Sequence, residues 1–327
     1  MNKILTVLSV VLLFTSCGNK DDFVLRSSIG KDNRVLVVTK SKYWSGQLGK
    51  EIRSVLGEAQ VGLPQPEPLL TVSQVAPRGF SKLMNISRSI ILLEEGEEET
   101  INVIHNKYAQ PQTIIYIKGK NEERLLHIIK TQGKDLINII KKSDIKVIQK
   151  RFSKDKLDAA TFKTLSNLGV SLIIPDKFRT VDDTGEFLWL RNHLRSGIAR
   201  GAGSNNILVY SFPLGDEATI PENISALRDT IGKKYIPGSR EGMYMVTEEA
   251  YTPFTIDVKV AGKKAFETRG KWEMKNDFMA GPFVNYTVID KKNNRIVVVE
   301  GFTYSPSVNK REFLFELEAI AKSLKIE

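Results

Sequence analysis

Phe266-Glu267-Thr268-Arg269-Gly270-Lys271-Trp272-Glu273-Met274 alternates between two kinds of residue. Successive side chains of a strand point to opposite faces, so Phe266, Thr268, Gly270, Trp272 and Met274 share one face and Glu267, Arg269, Lys271 and Glu273 the other. The expectation is one face on a core and one in water. Charges in this pattern also suit acid–base pairs, but an exposed sheet face is the simpler reading. Thr255 to Val260 precedes it as the first arm of a hairpin. Val284 to Ile289 and Arg295 to Thr303 follow, joined through Lys291-Lys292-Asn293-Asn294, a turn sequence. Antiparallel pairing is expected.

Outward from these strands, Asn309 and Glu312 have capping-box spacing, and Phe313, Leu317, Ile320 and Leu324 form the stripe of a last helix lying on the sheet. Upstream, Glu222 to Lys234 reads as a helix and Asn206 to Phe212 as a strand. A helix from about Asp155 to Leu168, stopped by Gly169, leads into a buried strand at Val170 to Ile174.

The first half begins with Val35-Leu36-Val37-Val38, a strand buried on both faces, then Leu48, Ile52, Val55 and Leu56 at helical spacing. Leu63-Pro64-Gln65-Pro66-Glu67-Pro68 is a stiff, extended crossing, because each proline fixes its own φ and restricts the residue before it. Ile90 to Leu93, Ile101 to His105 and Thr113 to Ile117 are strands. Glu94 to Glu99, too charged to bury, is a hairpin tip or loop. From Glu122 a helix carries Leu125, Ile129, Leu136, Ile139 and Ile140 on one stripe, with Lys130, Lys134, Lys141 and Lys142 mostly elsewhere; Gly133 weakens or bends it. The expected fold is α+β, with mixed or mostly antiparallel sheets and helices packed on one face. Two domains are expected, 33–150 (α/β) and 151–327 (α+β).

The chain opens with Lys3, an apolar run from Ile4 to Phe14, and Thr15-Ser16-Cys17. A run of about 11 residues falls short of the roughly 20 that cross a bilayer, so residues 1–16 read as a cleaved signal peptide. Small residues before the only cysteine resemble the lipobox of bacterial lipoproteins, with Phe14 where leucine is usual; lipid on Cys17 is therefore expected, against the alternative of an inert buried thiol. Residues 17–32 form a flexible tether. Its Gly18-Asn19-Lys20-Asp21-Asp22 looks like the surface-export signal of Bacteroidota lipoproteins; a plain solvated tether is the alternative. The outer membrane is favoured over the inner.

A hydrophobic content of 41% with 26% charged residues is that of a folded globular body. A single cysteine rules out an intramolecular disulfide, so the core alone holds that body. The net charge of +10 draws anions: phosphate, lipid headgroups or acidic glycans. Nucleic acid is not the expected partner, since no zinc-finger spacing or aromatic RNA-binding signature accompanies the charge. The three histidines, His105, His127 and His193, have no metal-ligand spacing, so neither metal nor cofactor is expected. No Gly-x-Ser-x-Gly elbow is present, and no catalytic residue can be named.

The most polar concentration is Trp189-Leu190-Arg191-Asn192-His193-Leu194-Arg195, followed by Arg200-Gly201-Ala202-Gly203-Ser204. In a strand, Trp189, Arg191, His193 and Arg195 share a face; in a helix, Arg191 and Arg195 align. Arginine forks match carboxylate or phosphate, and the glycines after Arg200 let backbone amides approach an anion. Arg191, His193, Arg195 and Arg200 are thus candidate anion-binding residues, against the plainer reading of a charged surface strand and turn.

Val35-Leu36-Val37-Val38 leading to Trp44-Ser45-Gly46, Gly62 to Pro68, Gly270-Lys271-Trp272, Gly281-Pro282-Phe283, and Tyr304-Ser305-Pro306 with Lys310-Arg311 together resemble a Bacteroidota lipoprotein family labelled domain of unknown function 4837. The resemblance spans nearly the whole chain beyond the signal. It implies an envelope lipoprotein and transfers no activity. The leading expectation is a non-enzymatic protein, held on a membrane through Cys17, that binds an envelope protein or an anionic envelope polymer. The alternative is an enzyme acting on envelope glycan or lipid through carboxylates that only the fold brings together.

Overall fold

The computed structural model describes residues 24–194, 203–306 and 308–327. The first half contains β1 (Arg26–Ser27), β2 (Arg34–Val38), α1 (Ser41–Ser45), α2 (Gln47–Leu56), β3 (Thr71–Val75), β4 (Ser89–Glu95), β5 (Thr100–His105), β6 (Ala109–Gln110), β7 (Thr113–Gly119) and α3 (Glu122–Phe152). Five of these strands form a sheet in the order β3-β2-β4-β7-β5, parallel except for β5, which runs antiparallel to β7. Val35, Val37, Ile91 and Ile115 meet Leu48, Ile52, Leu125 and Ile129 of the helices. The opposite face carries a smaller cluster of Val38, Ile90, Leu92 and Ile114. Continuous apolar runs at β2 and β4 follow from this two-sided burial. The run Glu94 to Glu99 is not a hairpin tip, because β7 lies between β4 and β5.

Helix α3 starts where the Asn121 side chain accepts the Arg124 N–H at 3.0 Å, and it continues unbroken for 31 residues. Gly133 does not interrupt it. A Cβ there would lie 2.1 Å from Cγ1 of Val55, so the glycine permits close approach of α2 and α3. Leu125 to Ile140 pack in the first core, whereas Ile145, Ile148 and Phe152 enter the core of the second half. One helix thus belongs to both.

The second half contains α4 (Lys163–Leu168), β8 (Val170–Ser171), β9 (Arg179–Asp183), β10 (Phe187–Leu194), β11 (Gly203–Pro213), α5 (Ile220–Tyr235), β12 (Met245–Thr247), β13 (Phe254–Val260), β14 (Lys263–Met274), β15 (Ala280–Asp290), β16 (Arg295–Tyr304), α6 (Arg311–Ala321) and β17 (Lys325–Ile326). Its sheet runs β12-β14-β15-β16-β11-β10-β9, antiparallel throughout, and β13 pairs with β14 beyond β12. Helix α4 is shorter than the expected span from Asp155. There the chain is held extended by the Leu157 N–H donating to Ile174 O, and the Asp158 side chain then caps a single turn. The fold class is α+β.

One-sided helix packing describes the larger core of the first sheet, whereas the second sheet carries a helix on each face. Leu314, Phe315 and Leu317 of α6 meet Leu190, Val209, Val284 and Val299. Ile220, Ile224 and Ile231 of α5 meet Trp189, Tyr210, Phe266 and Trp272 on the other side. This second layer corrects the reading of β14. Glu267 and Arg269 are 7% and 6% exposed, buried beneath α6, not turned to water.

The start of α6 also differs from its sequence reading. Asn309 does not cap it; the N–H groups of Lys310 and Arg311 donate to the two oxygens of Glu67, at 2.6 and 3.0 Å. The proline-rich crossing therefore delivers a buried carboxylate to a helix N-terminus in the other half, where the dipole favours negative charge.

Candidate functional site

Where α3 and the α2–β3 connector of the first half face β13, β14 and α6 of the second, they leave a cleft of about 800 Å³. Ile137, Ile145, Val61 and Leu69 line one side, and Phe254, Ile256 and Val258 of the edge strand β13 the other. Phe254 is 50% exposed and Ile256 41%. Lys134, Lys142, Lys146 and Lys259 stand around the cleft with Glu58 and Asp257, leaving an excess of positive charge.

Its floor is the charged face of β14. Arg269 donates through Nε to Glu267 at 2.7 Å and through Nη2 to Glu318 of α6 at 2.5 Å. Tyr286 Oη donates to the other oxygen of Glu267 at 2.8 Å, and Lys322 Nζ to the other oxygen of Glu318 at 2.6 Å. Burial pushes both carboxyls up, but the adjacent cations, Arg269 foremost, outweigh it and hold both below the usual carboxylate range. Both are therefore ionised at neutral pH. They balance Arg269 and Lys322, not a reacting proton.

Three donor groups remain. Nη1 of Arg269 and Nε2 of Gln60 are buried without an acceptor. Lys141 has one hydrogen bond among the described residues, to Oε1 of Gln60 at 3.2 Å, and lies over the Phe315 ring at 5.7 Å. It is densely enclosed yet keeps access through the cleft. Burial lowers it to about 8, with Glu318 opposing and Arg269 reinforcing the shift. Buried donors without acceptors are costly, and an arriving anion would satisfy them with charge-assisted bonds. The chemistry this floor supports is capture of a carboxylate or phosphate.

The residues singled out by sequence are elsewhere. Arg191 and His193 share a face of β10, as a strand requires. Arg191 lies over the Trp189 ring at 4.6 Å and donates through Nε to Asn206 Oδ1 at 3.0 Å; burial lowers its pKa. His193 is exposed. Cys17, Arg195 and Arg200 lie outside the described residues. No cluster of histidine, cysteine, aspartate or glutamate suited to a metal occurs among the described residues. Gln60, Lys141 and Glu318 were not picked out from sequence. The alternating charges of β14 are the one signal the sequence offers, and alternation by itself reads them as facing solvent.

Residues 156–323 match the family model described as domain of unknown function DUF4837. Residues 28–153 match a second model, domain of unknown function DUF8532, so the resemblance expected across the chain divides between two families. No curated protein matches the chain. Among solved structures, LpqN, involved in cell envelope biogenesis of Mycobacterium tuberculosis, is 12% identical over 48% of this chain and 82% of its own, with a TM-score of 0.29. The Ran-binding protein Mog1p of Saccharomyces cerevisiae is 11% identical over 48% and 90%, at 0.32. The lipid transfer and protein localization domain of human StarD13 is 7% identical over 45% and 88%, at 0.24. Likenesses at these TM-scores carry no argument about this chain.

Proposed function

The chain belongs to the DUF4837 family, and we propose that it is a Bacteroidota envelope lipoprotein, held at the outer membrane by lipid on Cys17, whose cleft binds an anionic ligand with an apolar portion. The observation that carries this reading is the cleft floor, where Lys141, Gln60 Nε2 and Arg269 Nη1 are donors without an anionic partner. The apolar walls at Val61, Leu69, Ile137, Phe254 and Ile256 fit the remainder of an amphiphile. An anionic envelope component suits this cleft better than a protein partner, which is bound more often on a flat patch than in a concave site.

The test is mass spectrometry of the chain purified from its own membranes. The expected result is diacylglycerol on Cys17 and a stoichiometric, non-covalent anionic amphiphile that is lost in Lys141→Gln. A native protein carrying no small ligand, with a reproducible protein crosslink instead, would overturn the cleft reading.

A second reading rests on Lys141 alone. An amine lowered to about 8 is poised as a general base or nucleophile, as an enzyme acting on envelope glycan or lipid requires. It predicts turnover of the bound molecule, whereas the binding reading predicts recovery of the ligand intact.

A further inference from the structure

Along the outer side of α3, Lys142, Lys146 and Lys150 recur at intervals of one helical turn, and Lys154 continues the row past the helix end. All four are exposed, and none forms an ion pair with a described residue. With Arg151 they line a second groove of about 900 Å³, and no aspartate or glutamate is among the described residues of its wall. A row of like charges repels itself, and no described carboxylate neutralises it, which points to an external anion.

Two further observations say what that anion is. Leu25 and Ser27 line the same groove, because β1 pairs with β6 and brings the start of the described chain to this side of the molecule. The described chain therefore begins beside the lysines. Edge strand β5 is also here: Ile101 and Val103 pair opposite Ile117 and Ile115, on the α3 side of the sheet, and are 36% and 39% exposed. Val24, the first described residue, is 85% exposed. Cations, exposed apolar side chains and the start of the described chain thus occupy one face.

We infer that this face docks on an anionic lipid bilayer, so that the anchored body lies against the membrane with α3 along its surface. The inference rests on the Cys17 anchor proposed above for its orientation and on the lysine row for its charge. Each lysine near an anionic surface contributes about 1 kcal/mol, so the row supplies the second signal that a lipid anchor needs for stable attachment. Lys142 and Lys146 also line the cleft, so the two grooves adjoin along this edge of α3.

The experiment compares amide hydrogen exchange of the full chain on phosphatidylglycerol and phosphatidylcholine vesicles. The expected result is slowed exchange at 100–106 and 142–154 on phosphatidylglycerol alone, reversed by salt. Equal exchange on both vesicles, or protection confined to another face, overturns the inference. Combined Lys142→Gln, Lys146→Gln and Lys150→Gln lowers affinity for phosphatidylglycerol vesicles about 100-fold; unchanged affinity in the folded variant overturns it equally. Should that variant fail to fold, the comparison on the parent protein stands by itself. Diacylglycerol on Cys17 is read separately by mass, so failure of the anchor and failure of the docking face give different results.

Discussion

Gln60 and Lys141 meet through a 3.2 Å hydrogen bond on the first half's wall of the cleft, and neither side chain has another hydrogen bond among the described residues. Opposite them Arg269, from the second half, ends in a nitrogen with no acceptor. Each side of the cleft thus carries a buried donor without an acceptor among the described residues, which the proposed anion would satisfy.

Lys141 makes the site pH-dependent. Its amine is lowered to about 8 from an ordinary 10.5, so anion affinity falls as pH rises through about 8. In the unliganded protein the folded lysine gives up its proton first. Stability therefore gains from this group between those two values, and below about 8 carries the full cost of burying the charge. Lys141→Met removes that rise in a denaturation series; an unaltered pH profile would contradict the assignment.

Asp144 gives the opposite slope. Burial raises it from 3.8 to about 7, against the Asn33 N–H bond at 2.9 Å and Arg88 at 3.7 Å. The folded state keeps the proton while the unfolded state loses it, so stability is lost as pH rises from about 4 to about 7. The penalty is complete above that, on the order of 4 kcal/mol. Asp144→Asn is expected to match the parent protein near pH 4 and to exceed its stability by a few kcal/mol near pH 8. A difference independent of pH would refute this.

Glu67, not Asn309, caps α6. Glu67→Ala leaves two helix N–H groups without an acceptor, at a cost of about 2–3 kcal/mol, while Asn309→Ala changes stability by less than about 0.5 kcal/mol. Chemical denaturation of the two variants checks the contrast, and equal losses would restore the capping box.

Gly133→Ala should destabilise despite the roughly 1 kcal/mol gain in helix propensity, because its methyl meets Val55. Adding Val55→Ala is expected to recover most of the loss. A non-additive double-mutant cycle is the signature of that contact.

The legible parts of the sequence were those set by local period. The strands at Val35, Ile90, Thr113, Thr255 and Arg295, the helix from Glu122 and the αL stop at Gly169 all follow from spacing and turn chemistry. What escaped depends on segments distant in sequence. Alternation in β14 separated Glu267 and Arg269 from Phe266 and Trp272, but it carries no information about which face is wet. Both became covered because α5 and α6 pack on opposite sides. Lys141 sits among exposed lysines of α3, and only the connector at Gln60 and the approach of β14 distinguish it. Glu67 looked like part of a connector because its partners lie in α6, far along the chain.

The central claim is that the cleft binds an amphiphilic anion through Lys141. Its most direct test is calorimetric titration of the full chain with dodecyl phosphate and with dodecyl maltoside, both below their micelle concentrations. The prediction is saturable one-to-one binding of the phosphate alone, weakening between about pH 7 and about pH 9.5, and reduced about tenfold or more in Lys141→Gln. Equal binding of both compounds, or a phosphate affinity indifferent to Lys141, would contradict it.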